Sequence, residues 1–250
     1  MARYKLTLAY DGKNFFGSQR QAKERTVQGE LENALAKLGW TGRSILMAGR
    51  TDTGVHATGQ VASLDLDWSH TDENLIRALN SSLPKDISVQ VAQVVDAKFH
   101  PRFDATSRRY RYKLFCQPHR DPIREQFAWR LFPSFDGDGL VDAARLFLGK
   151  HDFSAFGSPT TPKGTTVRTV MDARWAQIYE DEWHFEVQAD AFLYRMVRRM
   201  VFVQAAIAQG KIPVEALARS LAKQTSAGQR SEFPSGLAPA HGLTLINVEY

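Results

Sequence analysis

Hydrophobic and polar residues alternate along residues 3–10 (RYKLTLAY), with Tyr4, Leu6, Leu8 and Tyr10 on one side. A period of two marks a half-buried strand, and Asp11-Gly12 ends it. The spacing then lengthens. Val27, Leu31, Ala34, Leu35 and Leu38 fall on one helical stripe over 27–38, with Thr26 as N-cap and Gly39 past the last turn. Apolar runs predict strands at 44–48 and 60–66, joined by a glycine-rich loop. A helix is expected over about 71–79 with Leu75, Ile76 and Leu79 inward, and ISVQVAQVV at 87–95 alternates again. The order β-α-β-β-α-β is the split βαβ arrangement of ferredoxin-like domains.

The second half repeats that order without a residue-level repeat. A strand is expected at 107–116, and a helix at 139–148 with Leu140, Ala144 and Leu148 aligned. Two strands at 169–179 and 183–189 meet at Glu180-Asp181-Glu182. A long helix is expected over about 191–209, ended by Gly210, then a short one near 213–221 and a closing strand at 243–250. The boundary falls near 104–108, which gives domains 1–106 and 107–250. Residues 117–137, 157–168 and 224–242 are rich in turn formers and read as looser connections. The fold class is therefore α+β: two ferredoxin-like halves with mainly antiparallel sheets, flanking a basic cleft.

Composition narrows the setting. The net charge of +5 and a pI near 9.3 are compatible with a polyanionic partner. A single cysteine, Cys116, excludes an internal disulfide, fits a reducing compartment and reads as a half-buried small hydrophobe. No secretory leader or membrane-spanning run is visible, so a cytoplasmic protein without membrane contact is expected. His100, His119 and His151 are scattered, so no metal site is readable. GxGxxG, GxxxxGK[ST] and GxSxG are absent.

Candidate chemistry concentrates in Ala48–Gln60, AGRTDTGVHATGQ. Glycines at 49, 54 and 59 free the backbone and permit close approach of another molecule. Arg50 and Asp52 lie two residues apart. Aspartates as a class are ionised at neutral pH without a helper base, and an adjacent arginine maintains that charge when water is stripped away. Two readings remain open on spacing alone: an aspartate nucleophile, or an Arg–Asp pair that only shapes the turn. His56, four residues on, reads as structuring the loop, because a carboxylate nucleophile needs no general base.

Two basic segments follow. In SRRYRYK (107–113), Tyr110, Tyr112 and Leu114 share one strand face while Arg109, Arg111 and Lys113 share the other. Rings that stack on bases beside guanidiniums that fork onto phosphates suit a nucleic acid; a half-buried strand with a solvated basic face fits the pattern equally. In FLYRMVRRMV (192–201), Arg195, Arg198 and Arg199 stand at i, i+3 and i+4, a single basic patch that also suits a solvated helix face.

GRTDTGVHA resembles the signature GRTDAGVHA of the tRNA pseudouridine synthase A (TruA) family, with Thr53 in place of the usual alanine. That resemblance implies Asp52 as catalytic nucleophile and Arg50 as its catalytic neighbour. RRYRY is similar to another element of the family. There the first tyrosine, here Tyr110, packs on the target base, leaving Tyr112 to the core and Arg108, Arg109 and Arg111 facing RNA. The family's MVR maps to Arg198, implying an arginine that pairs with the nucleophile, with Arg195 and Arg199 on the RNA backbone. Arg199 and Phe202 stand where the family typically has a small polar residue and a glycine. Tyr10-Asp11-Gly12 and Phe16–Arg20 resemble YDG…GWQRQ, carrying over Gln19 and Arg20 as RNA-binding; Ser18 replaces the usual tryptophan. Ala238–Leu243 resembles A-x-A-x-GL.

The resemblance implies isomerisation of uridine to pseudouridine at uridines 38–40 (tRNA numbering) of the anticodon arm. It also implies no cofactor and no metal, tRNA as partner, and a homodimer. Two rivals are weaker. A non-catalytic RNA-binding protein leaves Asp52 unexplained, since an acid on a phosphate-binding surface weakens affinity. A carboxylate glycosidase needs a second, acid carboxylate.

Overall fold

The computed structural model describes residues 1–161, 164–222 and 233–250. The turn-rich stretches expected at 157–168 and 224–242 thus lie partly outside the described residues. The chain divides into two compact units, one of Met1–Thr106 with Thr244–Tyr250, the other of Ser107–Leu243.

Unit 1 contains β1 (Ala2–Tyr10), α1 (Val27–Lys37), β2 (Leu46–Met47), β3 (His56–Leu66), α2 (Asp72–Ser82) and β4 (Ile87–Val95). The central β1 pairs antiparallel with β3 on one side and β4 on the other. Tyr4, Leu6, Leu8 and Tyr10 are all buried, as their alternation predicts. Helix α1 starts where Thr26 Oγ1 accepts the Gly29 N–H (3.2 Å). It ends in a Schellman turn: Trp40 N–H reaches Leu35 O, Gly39 N–H reaches Ala36 O, and Gly39 takes a φ of +85°. Thr71 caps α2, whose Leu75 and Leu79 are buried; Ile76 is only partly covered.

Unit 2 contains β5 (Ser107–Phe115), β6 (Trp129–Arg130), α3 (Gly137–Arg145), β7 (Gly149–Asp152), β8 (Val167–Tyr179), β9 (Glu182–Ala189), α4 (Met196–Ala208) and α5 (Val214–Ala222). Its strands run in the order β5-β9-β8-β7, all antiparallel, with β6 a short parallel addition to β5. On one face Tyr110, Tyr112, Phe185, Val187, Ala173 and Trp175 form a buried layer.

Four expectations are corrected. The last strand, β10 (Leu243–Glu249), does not close the second unit. It pairs parallel with the start of β3, Thr244 opposite His56 and Leu245 opposite Ala57, so Thr244–Tyr250 group with unit 1. Strand β3 begins four residues earlier than its apolar run, because His56 and Ala57 gain this partner. Leu148 is exposed: α3 stops at Arg145, Gly149 turns the chain at φ +97°, and the fully buried Phe147 takes the core position. Helix α4 begins at Met196 and not at 191. Residues 191–195 follow other packing, with Tyr194 bridged to Ser158 and Phe192 against Tyr110.

Candidate active site

In unit 1 the chain leaves β2 at Ala48, whose N–H still reaches Val61 O (2.9 Å), and rejoins the sheet at His56. Between them Asp52–Val55 form a tight turn. Val55 N–H donates to Asp52 O (3.1 Å), and Gly54 supplies the left-handed φ of +79°. Thr51 is buried directly behind Asp52 and held at three atoms. Its N–H donates to Ser18 Oγ (2.8 Å), its carbonyl accepts from Ser18 N–H (3.1 Å), and its Oγ1 lies 2.8 Å from Tyr10 Oη. Burial pushes the Tyr10 phenol up to about 12, keeping it a neutral hydroxyl. Gln60, fully buried, donates its amide to Gly49 O (3.0 Å) and toward Tyr10 Oη (3.4 Å).

The segment after β1 presses against this loop, and two glycines let it do so. A Cβ at Gly12 would lie 2.1 Å from Val55 O; Gly17 combines a φ of +87° with a Cβ position 2.9 Å from Thr51 O. His56 is buried, and its Nδ1 accepts the Gly12 N–H (3.0 Å), which fits the loop-structuring reading. Asp52 is half-buried. Arg50 is exposed. The backbone braced through Thr51 shapes the turn.

The flanking residues divide. Gln19 is exposed. Arg20 is half-exposed, but its Nη1 donates to the buried Glu32 (2.7 Å) and to Arg43 O (3.2 Å), so part of its charge neutralises an interior acid. Ser18, in the position of the family's tryptophan, is fully buried and supplies the hydroxyl that Thr51 uses.

In unit 2, Tyr110 is buried except for 9% of its surface and meets Phe192 edge-on at 5.1 Å. Tyr112 is core, its hydroxyl donating to Pro239 O (2.9 Å); burial holds its phenol well above the usual range against the opposing influence of the Arg198 charge. Arg198 Nε donates to Ala238 O (2.8 Å), while Ala238 N–H donates back to Arg198 O (3.2 Å). This reciprocal pair fixes the side chain on the segment leading to β10.

The basic patch expected on one helix face is not formed. Arg195 lies before the helix in the left-handed region (φ +64°), exposed, its guanidinium 4.7 Å from the Tyr194 ring. Arg199 is buried to 8% exposure. Its Nη1 donates to Pro234 O (2.6 Å) and Gly236 O (2.9 Å), and burial lowers its pKa. Phe202 belongs to the same contact, since a Cβ on Gly236 would sit 2.4 Å from its ring. The two departures from the family pattern thus grip one strap, residues 233–238.

The arginines of β5 are paired. Arg109 binds Asp172 (2.8 Å) and Gln188, Arg111 binds Glu186 (2.6 Å), and Arg174 from β8 joins both acids. Arg108 donates to Asp190 O (2.8 Å). These forks are engaged across strands, so the solvated basic face the sequence pattern suggested carries paired charges. The bracing of Asp52 through Tyr10, Thr51 and Gln60 went unread. Its one local signal is Gln60, a polar residue inside an apolar strand pattern, which demands a buried partner.

Among the described residues no group of three or more His, Cys, Asp or Glu is placed to hold a metal ion, and no helix is long and apolar enough to cross a membrane. What remains is an α+β chain presenting one half-buried carboxylate on a rigid glycine-rich turn, a form suited to an enzyme that reacts through an aspartate. Comparison with known proteins agrees. The family described as tRNA pseudouridine synthase matches residues 7–104 and 143–250. A protein named tRNA pseudouridine synthase A from Solidesulfovibrio magneticus is 43% identical over all of this chain and 92% of its own length. Those of the same name from Methylacidiphilum infernorum (42%; 99% of this chain, 95% of its own) and Limosilactobacillus fermentum (39%; 100% and 96%) align as fully. The chain belongs to the tRNA pseudouridine synthase family, isomerases that convert uridine in tRNA to pseudouridine.

Proposed function

We propose that this chain isomerises uridines 38–40 of the tRNA anticodon arm, with Asp52 as nucleophile. What supports the reading is the braced turn that holds Asp52, within a family match spanning most of the chain. Chemistry on a base requires taking it out of its stack, at about a few kcal/mol. Tyr110 stacks on the extruded uracil, and the exposed Arg50 helps to hold the arm open. Asp52 attacks, the glycosidic bond breaks, and the ring turns and re-bonds through carbon. Arg198 balances the nucleophile's charge through its planar fork. Gln19 and Arg195, both exposed, contact the RNA backbone, as does the open half of Arg20. The protein works as a cytoplasmic homodimer, the state the family resemblance implies; its single cysteine fits a reducing compartment.

The test is Asp52→Asn, which keeps shape and hydrogen bonding but loses the charge and the nucleophilic oxygen. Turnover on unmodified tRNA is expected to vanish while affinity stays level or rises. Single-turnover pseudouridine formation by a clean preparation of the variant sinks the mechanism.

A further inference from the structure

We propose that the turn His100–Asp104 of unit 1 is a separate RNA-contact point, a platform on which an unpaired base of the substrate tRNA stacks. The observation is Phe103, which is 75% exposed, more than any other Phe, Tyr or Trp among the described residues. It is not displayed by a loose loop. Asp104 N–H donates to His100 O (3.1 Å), and His100 N–H to Asp104 Oδ2 (2.9 Å). The N–H groups of Arg102 and Phe103 converge on His100 Nδ1 (3.1 and 3.3 Å). The turn spends its polar groups on itself and holds the ring outward. Below the tip it is anchored in the unit: Pro101 O accepts from the Tyr250 hydroxyl (2.9 Å), and Phe99 packs on the same tyrosine at 4.9 Å.

The ring's surroundings name the partner. The His100 imidazole lies 4.3 Å from the Phe103 ring at a 34° tilt, and the Arg102 guanidinium carbon is 5.7 Å from its centre. Lys98, Arg102, Asp104 and Thr106, its neighbours in sequence, are exposed and polar. One ring inside a charged rim is far below the roughly 800 Å² per side that a stable protein interface needs. It does match one nucleobase, whose π-face stacks on an aromatic ring while a guanidinium takes the adjoining phosphate. Two N–H donors on Nδ1 require its lone pair, so the neutral imidazole carries its proton on Nε2, a further donor beside the ring.

This inference rests on tRNA being the substrate, and the experiment separates the two. Binding of unmodified tRNA is measured for wild type, Phe103→Ala, Phe103→Leu and Phe103→Trp, with melting temperatures and wild-type pseudouridine formation alongside. Phe103→Ala and Phe103→Leu are expected to weaken binding about tenfold at unchanged melting temperature, and Phe103→Trp to match or exceed wild type. A leucine variant that binds like wild type makes the contact merely apolar and overturns the proposal, as does an unaffected alanine variant. A wild type that neither binds nor modifies tRNA overturns this and the proposed function together. A wild type active on tRNA with all variants indistinguishable overturns the platform alone.

Discussion

The loop that carries Asp52 and the elements that carry the arginines of unit 2 use polar groups in opposite ways. In the loop, the interior is polar and fully partnered: Tyr10, Ser18, Thr51 and Gln60 are buried and bonded to one another or to the loop backbone. That buried polar network lies beneath a turn whose exposed side carries Arg50. In unit 2 the strand charges are paired where solvent still reaches them, with Arg109, Arg111 and Arg174 tied to Asp172 and Glu186 across the strands. A buried hydrogen-bond network fixes one backbone geometry, because each broken bond leaves an unsatisfied group. A surface ion-pair lattice fixes little, since each exposed pair contributes only about 0–1 kcal/mol. Precision is therefore built under Asp52, while unit 2 best places those arginines that reach backbone carbonyls, Arg198 and Arg199 among them.

The sharpest test of that contrast is Arg198→Ala. If Arg198 balances the nucleophile's charge as proposed, the rate at saturating tRNA is expected to fall about a hundredfold or more, and Arg198→Lys to recover only part, because a point charge does not reproduce a planar fork. Single-turnover rates measure this; an unchanged rate would make Arg198 a structural pin for Ala238 alone.

Next in size is Arg199→Ala, which strands the carbonyls of Pro234 and Gly236. A stability loss of about 2–3 kcal/mol is expected in denaturant titration, while the salt dependence of tRNA binding keeps its slope. If the slope changes and stability does not, Arg199 faces RNA after all.

Ser18→Ala removes the acceptor of the Thr51 N–H and is expected to cost about 1 kcal/mol of stability, with a few-fold slower saturated rate as Asp52 loses its fixed neighbour. A rate equal to wild type would mean that Tyr10 and Gln60 suffice to hold the turn. The smallest effect belongs to Arg195→Ala: melting unchanged, and the slope of log affinity against log salt reduced by about one unit. Salt-titrated binding with an unaltered slope would remove Arg195 from the RNA surface.

These outcomes follow the line between what the sequence discloses and what it hides. The elements of unit 1 were legible because each depends on neighbours in sequence: alternation for β1, the Thr26 cap and Gly39 turn for α1, the glycines around Asp52. Partnerships across strands were not. Nothing local in SRRYRYK announces that Glu186 stands opposite Arg111, a match set by register. The helical spacing of Arg195, Arg198 and Arg199 assumed a helix that already runs through 195, where the left-handed φ of that residue interrupts it. Once α4 starts at Met196, its near-total burial carries Arg199 inward. The end of the chain misled for a similar reason: LTLINVEY reads as a strand, but no periodicity says which strand it joins.

That last pairing bears on how the protein comes to be made. Translation delivers β1 to β4 first, then the whole of unit 2, and only afterwards the residues that lie against His56 and Ala57, at the foot of the loop bearing Asp52. Until then the edge of β3 at His56 and Ala57 lacks its β10 partner, with β2 and Ala48 farther along it. A nascent chain can thus assemble most of its first unit on the ribosome, yet the support beneath its reactive turn is finished only by a segment that emerges after the whole of unit 2.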